Sequence, residues 1–159
     1  MAQAKVKGDV VVTAASNSHY ILQPDGPGGS KQDSYAFRFD MPGRSIVYTG
    51  DTGPSAAIER LAKGADMLFA ELMDPDQSLA EVKARRPDLA AGALKAVEAH
   101  FRNQHLPPAE AGLMAKRAGV KALIITHNAV SDAGLNAARE AISAQYRGPV
   151  TFAEDLQKF

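Results

Sequence analysis

Three residues at the ends of apolar runs have the types that bind a divalent metal ion. Asp51 closes the run 45–50, His127 closes the run 120–126, and His19 follows the valine-rich run 10–13. A carboxylate and two imidazoles delivered at strand ends offer oxygen and nitrogen donors on rigid supports. A second pair has acid–base chemistry. Glu71 ends another apolar run, and His105 lies beyond a helical segment. A carboxylate that holds one imidazole nitrogen leaves the other poised as a proton donor. Each residue also has an ordinary role. Asp51 suits a turn or helix N-cap, His127 a hydrogen-bonded core histidine, His19 a solvated loop, and His105 a helix C-terminus favoured by the dipole. His100, mid-helix in a polar context, reads as structural or solvated.

The elements that must hold these residues follow from periodicity. A valine-rich strand over 9–15 leads into a polar loop over 17–31, with Pro24, Gly26, Pro27, Gly28 and Gly29. Residues 34–40 alternate apolar and polar, and Pro42-Gly43 turns them into a second strand over 45–49, a hairpin. After Gly50-Asp51-Thr52-Gly53, Pro54 suits a first helical position, and Gly64 stops that helix. A strand over 66–72 comes next. The helix over 88–104 carries Leu94, Val97 and Phe101 on one stripe, and Pro107-Pro108 opens another that ends at Gly119. The run 120–126 reads as a strand buried on both faces. Asp132 caps a last helix to about Tyr146, and a short strand covers 150–153. The order is that of one α/β domain without repeats or linkers.

Composition narrows the function. The 159 residues suit one domain with a real core, and Lys+Arg and Asp+Glu balance at 18 each. No basic field advertises nucleic acid, and the run Lys83, Arg85, Arg86 reads as a solvated helix face. With no cysteine there are no thiolate ligands or disulfides, so His, Asp and Glu are the metal ligands on offer. No apolar stretch is long enough to span a membrane. The compartment stays open, with the cytoplasm as default.

The order His19, Asp51, Glu71, His105, His127, the Gly50-Asp51-Thr52-Gly53-Pro54 turn and the segment 105–127 together resemble the metallo-β-lactamase superfamily. Within it the chain looks like ribonuclease Z-like and related phosphodiesterase or arylsulfatase-like members. The resemblance covers the chain from about Val10 but corresponds to the C-terminal half of such a hydrolase. It implies an α/β fold over 1–159: half of an αββα sandwich, a mixed sheet with helices on one face. It implies two zinc ions, with manganese or iron as alternatives, sharing Asp51. His19 would complete the shell of the first ion and His127 that of the second. His105 would donate a proton to the leaving group, oriented by Glu71.

One departure is large. The family's His-x-His-x-Asp-His cluster is absent, since the histidines are 19, 100, 105 and 127. Each ion would keep one histidine and the shared Asp51, fewer ligands than the three or four of a tight zinc site. The resemblance therefore implies a chain inactive alone, with sites left empty and the first sheet of the sandwich missing. Its partners would be the missing N-terminal half or a second copy of the chain, with a small ester or phosphodiester as substrate. Two other readings stand beside it. One is a non-catalytic module that self-associates through the uncovered face; the other is a single ion held by His19, Asp51 and His127 as a two-His-one-carboxylate triad.

Overall fold

The computed structural model describes residues 1–5, 8–20 and 33–159. Among the described residues, seven strands form one mixed sheet in which spatial order equals chain order. They are β1 (Ala2–Lys5), β2 (Val11–Ser16), β3 (Tyr35–Met41), β4 (Arg44–Tyr48), β5 (Met67–Met73), β6 (Ala122–Ala129) and β7 (Val150–Phe152). The first three pairings are antiparallel and the last three parallel. Five helices connect the later strands: α1 (Ala56–Leu61), α2 (Pro75–Arg85), α3 (Ala91–Gln104), α4 (Pro108–Ala118) and α5 (Leu135–Gln145).

Strand order explains why the helices share a face. Each parallel strand is added on the same side of the one before it, and crossovers are right-handed, so every connecting helix lands on one side of the sheet. Strand alternation then sorts the residues. Ala15, Ala36, Val47, Leu68, Ala70, Leu123 and Ile125 are buried toward the helices, where they meet Ile58, Leu61, Ala111, Met114 and Ile142. The opposite face carries Tyr35, Phe37 and Tyr48, exposed at 46%, 39% and 46%. Such a row of half-solvated aromatics is the uncovered surface expected of half a sandwich. Phe159 folds back onto this face, its ring 5.4 Å from that of Phe69 in an edge-on contact.

Several boundaries differ from expectation for local reasons. Strand β1 is new. Its Ala-Gln-Ala-Lys sequence pairs with β2 alone, so it carries no burial pattern to read. Helix α2, whose solvated face at Lys83 and Arg85 the sequence suggested, gains its bounds here; its start is the Asp74 cap, whose carboxylate accepts from the Asp76 and Gln77 amides, with Pro75 at the first turn. Helix α1 begins after Pro54, because Ser55 is the cap and accepts from the Ile58 amide. The last helix opens through a 3-10 turn, Asp132–Gly134, so Asp132 is not its cap. Leu94, Val97 and Phe101 are only half-buried, since α3 packs on α2 rather than on the sheet. The polar loop expected over 17–31 lies outside the described residues beyond Tyr20.

Candidate functional site

Strand direction gathers the expected residues at one edge. β2 is antiparallel to β3 and β3 to β4, so β2 runs with β4, β5 and β6, and all four end at the same edge. His19 follows β2, Asp51 follows β4, Glu71 lies near the end of β5 and His127 near the end of β6. His105 reaches the same edge from the junction of α3 and α4. The carboxyl edge of parallel strands is where open α/β sheets hold ligands.

The loop after β2 is locked to the turn after β4. The Ser18 amide donates to Thr52 Oγ1 at 3.3 Å, and the two hydroxyls lie 3.2 Å apart. Asn17 Nδ2 donates to the Thr49 carbonyl, while its Oδ1 accepts from the His19 amide. At Gly53 the turn approaches α3 so closely that a Cβ there would stand 1.9 Å from the Asn103 carbonyl oxygen. Only glycine fits that contact.

Glu71 and His105 form a buried pair. His105 Nδ1 lies 2.8 Å from Glu71 Oε2, with the two side chains 9% and 3% exposed. The other oxygen of Glu71 accepts from the Thr52 amide. An ionised carboxylate only accepts, so Nδ1 carries the proton and Nε2 is free to act. Burial opposes charge on His105. The Glu71 hydrogen bond and the Glu71 and Asp51 carboxylates outweigh it and raise its pKa above the usual histidine value.

His127 is not beyond the strand, as the sequence suggests, but inside β6 at an irregularity. Ala70 pairs with Ile125 and Leu72 with Asn128, so β6 holds one more residue than β5 across this interval. Such a bulge re-aims a side chain. His127 takes up the distortion with φ +41°, a left-handed conformation uncommon outside glycine. Its Nδ1 stands 2.6 Å from Asp51 Oδ1, and it is the most exposed member of the site.

A third imidazole joins His19 and His105. The His100 ring centre lies 6.0 Å from that of His19 and 5.1 Å from that of His105, and the latter two are 5.0 Å apart. His100 is therefore part of this edge: of its two readings, structural or solvated, the part-buried, hydrogen-bonded ring favours the structural one. Gln104, 2% exposed, organises the group: its side-chain oxygen meets His100 Nδ1 at 2.8 Å, and its backbone oxygen meets His19 Nδ1 at 3.0 Å. Carbonyl oxygens accept, so both imidazoles keep Nε2 free. Burial first, and the neighbouring imidazoles after it, hold the His100 pKa below the ordinary value. Gln104, Asn17 and Thr52 had no sequence signal beyond their nearness to motif residues.

Two donor groups result. His19, Asp51 and His105 each offer an atom within 4.8 Å of the others, and so do Asp51, Glu71 and His127. Asp51 belongs to both, as a carboxylate between two ions must. Among the described residues, no group joins His19 to His127, which disfavours the single-ion triad. The donor chemistry fits a divalent metal. His19 has one imidazole nitrogen anchored to a carbonyl, which leaves the other free for an ion.

Known proteins share this framework. Residues 2–128 match the family described as Beta-lactamase superfamily domain. The chain is 41% identical over 87 residues to a ribonuclease Z of Brevibacillus brevis, which is 55% of this chain and 22% of that protein. The metallo-beta-lactamase fold protein YhfI of Bacillus subtilis superposes with a TM-score of 0.65 at 20% identity, over 96% of this chain and 50% of that one. The short form of human tRNase Z gives a TM-score of 0.55 at 21% identity, over 98% and 43%. The chain thus spans half or less of the length of each of these proteins. By matched residues and fold alike, the chain belongs to the beta-lactamase superfamily, among its ribonuclease Z-like members.

Proposed function

We propose that the chain supplies one half of a dinuclear metal-dependent hydrolase acting on phosphodiester or related ester bonds. The observation that carries the reading is the position of Asp51, common to both three-donor groups at the strand edge. Asp51 would be shared between the ions, His19 would hold one and His127 the other. Zinc suits this nitrogen and oxygen set, with manganese or iron as alternatives. When bound, the ions polarise the phosphoryl or carbonyl oxygen and make hydroxide available near neutral pH.

The chain's own residues do the rest. His105, held through Nδ1 by Glu71, presents Nε2 to the leaving oxygen and gives it a proton when charged. Its raised pKa keeps it protonated closer to neutrality. Glu71 is a positioning residue that also ties the Thr52 amide, so one carboxylate aligns the proton donor with the Asp51 turn. His19 and His127 each bring one imidazole, so the further ligands of a tight site would be supplied by residues other than these histidines and Asp51.

The test is native mass spectrometry of the chain with Zn²⁺ or Mn²⁺, which reports metal uptake and oligomeric state together. Uptake should be weak and should vanish in Asp51→Ala. Uptake indifferent to both Asp51→Ala and His127→Ala would sink the assignment. In the complemented protein, His105→Ala should lower kcat by about 10²–10⁴-fold with metal content unchanged. Loss of metal instead would make His105 a ligand. A second reading, a self-associating module without catalysis, draws on the exposed Tyr35, Phe37 and Tyr48. A tight dimer that takes up no metal would favour it.

A further inference from the structure

The bulge that aims His127 at Asp51 has to be held in place. Before it Ile125 pairs with Ala70, and after it Asn128 and Ala129 pair with Leu72 and Met73. Slipping such a pairing by one residue turns every side chain it passes to the other face of the sheet. Burial normally forbids the slip, but His127, Asn128 and Ala129 are all exposed. The end of β6 therefore needs another fastening.

That fastening comes from α2. Gln77 Oε1 accepts from the Ser131 amide and from the Ser131 hydroxyl, each at 3.1 Å. Its Nε2 donates to Glu81, one turn further along the helix, at 2.9 Å, which leaves the oxygen facing the loop. The Gln77 amide donates in turn to Asp74, the cap that directly follows β5. The ends of β5 and β6 are thus tied to one helical turn. Buried Pro75 and Leu79 seat that turn, and Asp76 pairs with Arg102, three residues before His105. The loop between bulge and fastening is itself closed: Asn128 Oδ1 accepts from the Val130 amide at 3.1 Å, and Val130 is buried. Gly134 then passes so near that an added Cβ would stand 2.9 Å from Val130 Cγ1 and 3.2 Å from Gln77 Oε1.

We propose that Gln77 is a positioning residue for His127. By holding Ser131 it fixes the bulge in β6 and so keeps the His127 imidazole on Asp51. The clamp rests on geometry alone; only the work it does for His127 rests on the hydrolytic reading. Gln77 touches no reacting group and acts wholly through the strand end that it anchors.

The experiment follows His127 by NMR in the full chain without added metal. Its Cα shift and HN–Hα coupling report the left-handed backbone, and ring-to-Asp51 contacts report its aim. Gln77→Leu keeps a good helix former of similar size but has no accepting oxygen. It should move His127 toward extended values and weaken the Asp51 contact, with the amides of β4 and α4 unshifted. Gln77→Glu together with Glu81→Gln keeps an oxygen on Ser131 and reverses donor and acceptor in the second bond. This pair should bring His127 back to its wild-type signals. Ser131→Ala removes one of the two bonds and should move His127 the same way by less. In native mass spectrometry, Asp51-dependent Zn²⁺ uptake should weaken about tenfold in Gln77→Leu, as when a group supporting a metal ligand is removed. An unchanged His127 in Gln77→Leu would overturn the proposal, as would a paired variant no nearer the wild type. Should Gln77→Leu fail to fold, Ser131→Ala decides, and an unchanged His127 there overturns the clamp. A His127 that moves while metal uptake stays indifferent to Asp51 strikes at the hydrolytic reading and leaves the clamp standing.

Discussion

Replacing Glu71 by Gln tests how this site sets a tautomer. Glu71 accepts from two donors, the Thr52 amide and His105 Nδ1. The Thr52 amide cannot reverse its role, so in Glu71→Gln the new side chain must turn its oxygen toward it. The NH₂ of that side chain then faces His105, whose Nδ1 must accept, which moves the imidazole proton to Nε2. Both hydrogen bonds also lose their charge assistance, about 1 kcal/mol each, or about 2 kcal/mol in all. For a domain of this size that lowers Tm by about 4–8 °C. The assay is ¹⁵N NMR of the histidine rings across a pH titration of the metal-free chain, with thermal melts beside it. In the wild type His105 titrates above its unfolded pKa of about 6.5. Its stabilising contribution is thus complete below that pH and is lost as pH rises through the folded value. In Glu71→Gln the titration should move down, the pH dependence of stability should flatten, and neutral His105 should carry its proton on Nε2. A variant whose His105 keeps both its pKa and its Nδ1 proton would refute the argument.

Three further outcomes test the scaffold. Gly53→Ala drives a Cβ into the Asn103 carbonyl and should cost about 2–3 kcal/mol, lowering Tm by about 5–10 °C in a thermal melt. Gly92→Ala, in α3 with nothing within 4 Å of the added carbon, should leave Tm unchanged or raise it slightly. Asp66 accepts from the Ser45 amide and hydroxyl and from Lys121, and these bonds, that with Lys121 foremost, hold its pKa far below the usual carboxylate range. Its contribution is present above about pH 4 and fades as pH falls further, so acid unfolding of Asp66→Asn should show a flatter pH dependence there than the wild type.

What was legible in the sequence was what burial writes into it. The strands at Val47, Leu68 and Leu123 and the helix ending at Gly119 announce themselves by apolar spacing or by a glycine at φ +64°. The pairing of Glu71 with His105 was reachable through the family resemblance, since no local pattern links residues on β5 and at the end of α3. Other features lacked a signal. Helix α2 buries only Pro75 and Leu79, so its stripe is too thin to give its bounds, and only its charged face was read. The bulge that turns His127 toward Asp51 is a mismatch between two strands, which neither strand's sequence reveals alone. His100 read as structural or solvated because its sequence context is polar; its neighbours in space are two other imidazoles, which the sequence does not show.

The identity of strand order and chain order bears on assembly and on variation. Each strand pairs with the segment made just before it, so most of the sheet can form by short closures, which favours quick, ordered folding. The one long excursion runs from Met73 to Ala122, where β5 waits for β6 while α2, α3 and α4 are made. Closing a loop costs only about 0.6 kcal/mol more for each doubling of its length. Insertions in that excursion therefore weigh little on the sheet. The stretch of chain beside the reacting groups is the one that can change most while the fold persists.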